Sequence, residues 1–357
     1  MHVPWGWIKQ RPHFLAEQLS DDYEVSVVIP KSFRVPNLTV NNTKMNIRSI
    51  IKFPFERFKI VRLVNTIIVQ FLFKYIYGIR KYHYIWITDL RLYPLIKNLL
   101  KDKQRLIYDC MDDVLEFKVL KGQYNELENI EKNLFQNVDL ILFSSKELKD
   151  RKVKKYNLIN FRHELVFNAL DSSLLNAKVF DKYDYLYNEY SKNNYTILTY
   201  IGTISSWLDF ELIEKSLNDL NNIIYFIIGP IERNIEILKH DRIKYFGSVE
   251  HKYIKSLALK SDILIMPFKL DKLVTAVDPV KMYEYIAFGK KIISVKYNEL
   301  DKFSQYVSFY ENYNEFKKIL QSLESDKSVN ILNDNFLELN NWENRKKKVV
   351  NLIEGMS

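Results

Sequence analysis

Short apolar runs alternate with segments of helical period along most of the chain, and that alternation sets the fold class. The runs fall at residues 24–29 (EVSVVI), 84–88 (YIWIT), 105–108 (RLIY), 139–143 (DLILF), 195–201 (YTILTYI), 223–228 (IIYFII), 243–246 (IKYF), 262–266 (DILIM) and 291–295 (KIISV). Helical patterns at 12–19, 124–135, 145–155, 208–217 and 251–260 lie between them. Strands separated by helices pair in parallel, because a crossover returns the chain to the same end of the sheet. The expectation is an α/β protein with helices on both sheet faces. The rhythm breaks at 174–194, a polar stretch rich in Asp, Lys, Asn and Tyr, and then restarts. Two domains are therefore expected, 1–173 and 195–336, with 174–194 as linker. A closing segment, 337–357, carries a final helix near 341–353. Its run Arg345-Lys346-Lys347-Lys348 reads as a solvated face. There is no internal repeat.

The 357 residues suffice for two cores, since 47% are hydrophobic and 14% aromatic. One cysteine, Cys110, excludes an internal disulfide framework and fits a reducing compartment. The first residues show no secretory signal. The net charge of +9 suits phosphorylated substrates or an anionic membrane. Nucleic acid fits least, because the cations are scattered and no zinc-finger or RNA-recognition pattern is present. Residues 60–79 are apolar but interrupted by Arg62, Asn65, Gln70 and Lys74, which argues against a membrane span. Val61, Val64, Ile68, Phe71 and Tyr75 recur at helical spacing. The segment reads either as a core-packing helix or as one lying on a membrane surface, with Lys52, Arg57, Lys59, Arg80 and Lys81 nearby.

The chemistry concentrates between Asp278 and Gly289. Asp278 suits a helix N-cap, Pro279 the first helical position, and Gly289 a terminator. This helix follows the run at 262–266, so its N-terminus lies at the carboxyl edge of the sheet, where exposed N–H groups bind anions. Lys281 reaches the same anion. Glu284, three residues on, shares its face. Cations for a diphosphate and a carboxylate for ribose hydroxyls are what a nucleoside diphosphate requires. An ordinary capped helix with a surface Lys–Glu pair explains the same residues. In the first half, Trp5, Trp7, Gln10 and Arg11 precede a helix begun by Pro12. Arg11 suits a phosphate, and the tryptophans suit sugar stacking, a membrane interface or a core. Asp109, Asp112 and Asp113 follow a strand, where a carboxylate orients an acceptor hydroxyl, acts as base or caps the next segment. Asp112 is taken as the base.

Several ordered motifs carry a resemblance. They are Trp5-Gly6-Trp7-Ile8-Lys9-Gln10-Arg11-Pro12-His13, Tyr108-Asp109-Cys110-Met111-Asp112-Asp113, Ser144-Ser145 with Leu148, and Asn168-Ala169-Leu170-Asp171. In the second half come Tyr200-Ile201-Gly202-Thr203-Ile204 with Trp207 and Asp209, Ile228-Gly229-Pro230, Phe246-Gly247 and Pro267-Phe268. With the Asp278–Gly289 stretch, the chain resembles the GT-B fold glycosyltransferases of the group-1 or family-4-like branch. Within that branch it resembles bacterial enzymes of teichuronic acid and capsular polysaccharide assembly. The resemblance implies two Rossmann-like domains facing across a cleft, with the last helix crossing back to the first domain. It implies a UDP-, GDP- or dTDP-sugar donor on the C-terminal domain, touched by Gly202, Thr203, Pro279, Val280, Lys281 and Glu284. The acceptor, a glycan or lipid-linked glycan, enters from the N-terminal domain. Retention of configuration and no metal or cofactor are implied too, and a cytoplasmic protein, peripheral at the inner face of the plasma membrane.

Two features depart from the family. Its first paired glutamate falls at Ala276, which leaves Asp278 as the expected sugar contact. Only Met1-His2-Val3 precede the first loop, so the opening strand is nearly missing and a start further upstream is expected. A sugar-nucleotide epimerase of the same architecture, or a non-catalytic assembly partner at the membrane, are the alternatives.

Overall fold

The structure is a computed structural model that describes residues 5, 9–30, 44–50, 52–53, 58–117, 122–325 and 334–356. The chain divides into two compact units, Met1–Asn168 with Trp342–Ser357, and Ala169–Asn341. Trp7, and the opening residues Met1, His2 and Val3, lie outside the described residues.

In the first unit, β1 (Ser26–Pro30) and β2 (Asn46–Ile50) pair in parallel. A second sheet is built from β3 (Tyr84–Ile87), β4 (Arg105–Cys110), β5 (Leu140–Phe143) and β6 (His163–Leu165), in that order and all parallel. The helices are α1 (Arg11–Leu19), α2 (Lys59–Phe71), α3 (Tyr93–Ile96), α4 (Tyr124–Asn137) and α5 (Lys146–Tyr156). All four residues of β5 are fully buried, as a parallel strand covered on both faces requires. Ser145 starts α5 by accepting from the Leu148 N–H at 3.1 Å, and Asn157 ends it in the left-handed region.

The C-terminal helix, Trp342–Glu354, belongs to this unit. The buried Trp342 ring stacks on Phe14 of α1 at 5.0 Å. The basic run beside it corrects the expectation of a solvated face. Arg345 donates to the carbonyls of Phe167 and Asn168, Lys348 donates to that of Leu165, and Lys346 pairs with Asp22. Two of the four cations thus pin the helix to residues 165–168, and a third ties it to Asp22 just after α1.

In the second unit, α6 (Asp184–Lys192) precedes β7 (Thr196–Ile201). Then follow α7 (Phe210–Asp219), β8 (Ile223–Ile228), β9 (Ile243–Gly247), α8 (Ile254–Lys260), β10 (Ile263–Met266), α9 (Val280–Ala287), β11 (Lys291–Val295), β12 (Ser308–Tyr310), α10 (Tyr313–Ser325) and α11 (Asp334–Leu339). The six strands are parallel in the order β12-β11-β10-β7-β8-β9. The chain winds outward from β7 to β9, returns to the other side of β7 as β10, and winds outward again. That is the doubly wound arrangement of nucleotide-binding folds, with its switch point between β7 and β10.

The stretch 174–194 is not a bare linker. It contains α6, whose Tyr187 is buried and donates to the Leu257 carbonyl at 3.0 Å, while Tyr187 and Tyr190 pack on Phe226. The tyrosines at 183, 187 and 190 form a helical stripe that a polar composition conceals. The unit boundary accordingly falls at 168/169.

Removing the Trp342 ring exposes the joint between α1 and the C-terminal helix. Trp342→Ala should lower the stability of the first unit by about 3–5 kcal/mol. Urea unfolding read by probes in each unit checks it, and a loss shared equally by both units would contradict this packing.

Candidate functional site

The loops at the switch point of the second unit are held by backbone contacts that leave little latitude. A Cβ on residue 229 would lie 1.9 Å from the Gly202 carbonyl oxygen, and Gly229 has φ +146°. Only glycine fits there. The Gly202 N–H donates to the Ile228 carbonyl, and the Gly229 N–H to that of Gly247. The Tyr200 hydroxyl donates to the Thr203 carbonyl at 2.9 Å and lies 2.6 Å from where a Cβ on Gly202 would be. From α9, the buried Tyr285 hydroxyl accepts from the Ile201 N–H at 2.7 Å and donates to the Ile201 carbonyl at 3.3 Å. That pair of hydrogen bonds fixes α9 against the end of β7. Gly202 and Thr203 are thereby brought to the helix that carries Lys281 and Glu284.

Helix α9 begins at Val280, with the buried Pro279 at the N-cap and no side-chain cap, one residue later than the sequence pattern suggests. Gly289, at φ +65°, terminates it as expected. Lys281 Nζ lies 2.7 Å from Glu284 Oε2. The Glu284 carboxylate is buried and Lys281 is a third exposed. The lysine can therefore meet a phosphate from its exposed side while it stays paired with the buried Glu284 carboxylate.

Asp278 corrects the sequence expectation of a sugar contact. Its carboxylate is 1% exposed and accepts from the Tyr283 hydroxyl at 3.0 Å and from Lys302 Nζ at 2.8 Å. Lys302 also holds Glu299 at 2.9 Å. Asp278 therefore fixes the entry to α9 from inside. Ala276 is buried in a single 3₁₀ turn, Val274–Ala276. Neither residue presents a carboxylate outward.

In the first unit, the exit of β4 is clamped at three points. Arg11 Nε donates to both Asp109 oxygens at 2.9 and 3.1 Å, and its Nη1 donates to the Val166 carbonyl at 2.6 Å. The Ser144 hydroxyl donates to the Met111 carbonyl at 2.6 Å. Lys152 Nζ lies 2.8 Å from Asp113 and 2.7 Å from Glu131, and Tyr156 donates to Glu131. The partners Arg11, Asp109, Asp113, Lys152 and Glu131 are all buried. Arg11 is thus no surface phosphate clamp. It neutralises Asp109, although its Nη2 has no hydrogen-bond partner among the described residues. The ring of Trp5 packs edge-on to His13 at 5.0 Å and against Val27, Ile29 and Met45, which makes it a core contact. Gln10 contributes its backbone to the start of α1, donating to His13 Nδ1 at 3.0 Å.

Between these clamps stands Asp112, half-buried, with no hydrogen bond or ion pair to its carboxylate among the described residues. Burial pushes its carboxyl up to about 6, helped by the charges of Asp109 and Asp113 and opposed by Arg11. A carboxyl tuned toward neutral pH and unspent on structure suits a base. The same shift predicts a stability effect. Because the folded-state value lies above the unfolded one, the ionised side chain destabilises the fold as pH rises from about 4 to 6, and the cost persists above that. Asp112→Asn should therefore raise stability at pH 7.5 by about 1–3 kcal/mol, with no gain at pH 3.5. A destabilised variant at pH 7.5 would show that the carboxylate is structural.

No family model matches the chain. It is 26% identical over 214 residues to a Bacillus subtilis (strain 168) protein named as the teichuronic acid biosynthesis glycosyltransferase TuaH, a match covering 56% of this chain and 52% of that one. The chain therefore spans about half the length of the curated relative it matches. Among solved structures it resembles sucrose-phosphate synthase (tll1590) from Thermosynechococcus elongatus, with TM-score 0.75, 14% identity and coverage of 97% and 92% of the two chains. It also resembles Anabaena Alr3699/HepE in complex with UDP-glucose, with TM-score 0.68, 12% identity and coverage of 99% and 98%. A third is WaaG, a glycosyltransferase involved in lipopolysaccharide biosynthesis, with TM-score 0.59, 10% identity and coverage of 97% and 92%. At these identities the likeness shows the fold, and the fold is GT-B, with two Rossmann-like domains.

Proposed function

We propose that the chain is a glycosyltransferase that moves a sugar from a nucleoside-diphosphate sugar to a glycan or lipid-linked glycan acceptor in bacterial surface polysaccharide synthesis. The observation that carries this reading is the placement of Lys281 and Glu284 on α9, latched by Tyr285 to the Gly202 loop at the switch point of the second sheet. Ligands of doubly wound sheets bind at that point. The N-terminus of α9 and Lys281 hold the diphosphate, the backbone of Gly202 and Thr203 after β7 approaches it, and Glu284 accepts from the ribose. Pro279 and Val280 shape the first turn beside the phosphates. The relatives support a UDP-sugar first, because HepE was solved with UDP-glucose.

In the reaction the acceptor oxygen bonds to the anomeric carbon. The bond from that carbon to the diphosphate breaks, and the diphosphate leaves with the electron pair. The acceptor proton passes to Asp112. Retention, which the resemblance implies, requires the acceptor to attack the face from which the diphosphate departs, and the anomer of the product reads it directly. A lipid-linked acceptor places the work at the inner face of a plasma membrane. No described helix is long and apolar enough to cross one.

Incubation with UDP-, GDP- and dTDP-sugars and a panel of acceptors tests the reading. Nucleoside diphosphate should be released only when an acceptor is present. The rate should rise through about pH 6 and level above it, following Asp112. Asp112→Asn should lower kcat by roughly 10²–10⁴-fold with donor affinity unchanged. An epimerised sugar nucleotide formed without acceptor would replace this function with epimerisation.

A further inference from the structure

Helix α2 has more apolar surface than its packing uses. At about 100° per residue its side chains fall on two separate apolar faces. One face packs inward through Val61, Asn65, Ile68, Val69 and Leu72, of which Asn65 and Val69 are fully buried. The other points outward. Ile60 is 77% exposed, Leu63 61%, Ile67 58% and Phe71 53%, and the row continues past the helix to Tyr75 and Ile76 at 63% and 57%. The sequence pattern Val61, Val64, Ile68, Phe71, Tyr75 mixes these faces: Val61 and Ile68 turn inward, and Val64, Phe71 and Tyr75 outward. The buried Asn65 side chain also grips both backbone groups of Phe53, at 2.8 and 3.0 Å, so that the exposed Phe53 ring is held near the same helix.

The segment's own charges have one sign. From residue 59 to 81 the sequence carries Lys59, Arg62, Lys74, Arg80 and Lys81 and no carboxylate. Lys74, Arg80 and Lys81 are exposed, and Lys74 Nζ lies 4.8 Å from the Tyr75 ring. Arg62 is shared with Glu126 of α4 at 3.6 Å. The end of the segment is anchored, since the Tyr77 hydroxyl donates to the Ser49 carbonyl and Arg48 donates to that of Ile76. An apolar row about 25 Å long, flanked by cations and held rigidly to a folded unit, matches an interfacial helix rather than a core element. A second copy of the chain on this face would bring the same cations together, which is unfavourable.

We propose that α2 and its extension to Ile76 lie in the plane of an anionic lipid bilayer. Ile60, Leu63, Ile67 and Phe71 enter the acyl boundary, and Lys74, Arg80 and Lys81 meet lipid phosphates. This goes beyond the sugar-transfer reading and does not depend on it.

Co-sedimentation of the full chain with vesicles of phosphatidylcholine, alone or mixed with phosphatidylglycerol, tests the assignment. Partition should be at least about tenfold higher on the mixed vesicles and should fall as salt screens the cations. Ile67→Glu with Phe71→Glu changes only exposed positions. It should reduce partition by more than about tenfold while the unfolding transition and UDP affinity stay as in the parent chain. Lys74→Gln with Lys81→Gln should reduce it severalfold on anionic vesicles alone. Equal partition of the glutamate variant, or no preference for phosphatidylglycerol, would overturn the proposal. So would a dimer in sedimentation velocity that the glutamate variant abolishes, because the face would then be a protein interface. UDP affinity is read separately, so failure of the lipid contact and failure of the donor site are distinguishable.

Discussion

The Gly202 carbonyl occupies the space that a side chain on residue 229 would need, and the architecture of the second unit's site follows from that contact. Two strands of a parallel sheet end side by side, and their loops cross close enough that neither can carry bulk. The Gly202 and Gly229 N–H groups are spent on the Ile228 and Gly247 carbonyls, so the crossing leaves a backbone surface free of side chains at the strand ends. The Tyr285 hydroxyl then ties α9 to the same strand end, so the helix that brings Lys281 and Glu284 cannot drift from the loop it serves. The Asp278–Lys302–Glu299 group supports the other side of the helix entry from the interior.

In the first unit, three neighbouring carboxylates are treated differently. Asp109 and Asp113 are each neutralised by a buried cation, Arg11 or Lys152. Breaking either buried pair would cost about 3–5 kcal/mol, so both are fixed points of the fold. Asp112 has no such partner, and its raised pKa follows from burial beside two other carboxylates. Two of three carboxylates at the end of β4 are thus neutralised inside the fold, and the third is not.

Much of this was legible in the sequence where physics writes long, uniform signals. Ile223–Ile228 and Leu140–Phe143 read as continuous apolar runs because both faces of a parallel strand are covered. Gly289 ended α9 as its residue type implies. Three-residue, partly exposed strands such as β6 and β12 left no period to detect, and α6 was hidden because its tyrosine stripe sits in a polar background. The roles of charged residues were least legible. Arg11 meets its carboxylate 98 positions away, and Asp278 meets Lys302 24 positions away, so sequence displays the charge but not what neutralises it. The face of α2 left outside the core was equally hidden, because periodicity reports that a helix is apolar and not which of two apolar faces is covered.

The central claim is that the Lys281–Glu284 face of α9 holds a nucleoside diphosphate. Calorimetric titration of UDP, GDP and dTDP into the parent chain and into Glu284→Ala measures this directly. One nucleotide should bind the parent, and Glu284→Ala should weaken it by about tenfold or more, the cost of losing a charged hydrogen-bond acceptor, while the unfolding transition is retained. Equal affinity in the two proteins, or no binding of any of the three by the parent, would contradict the account.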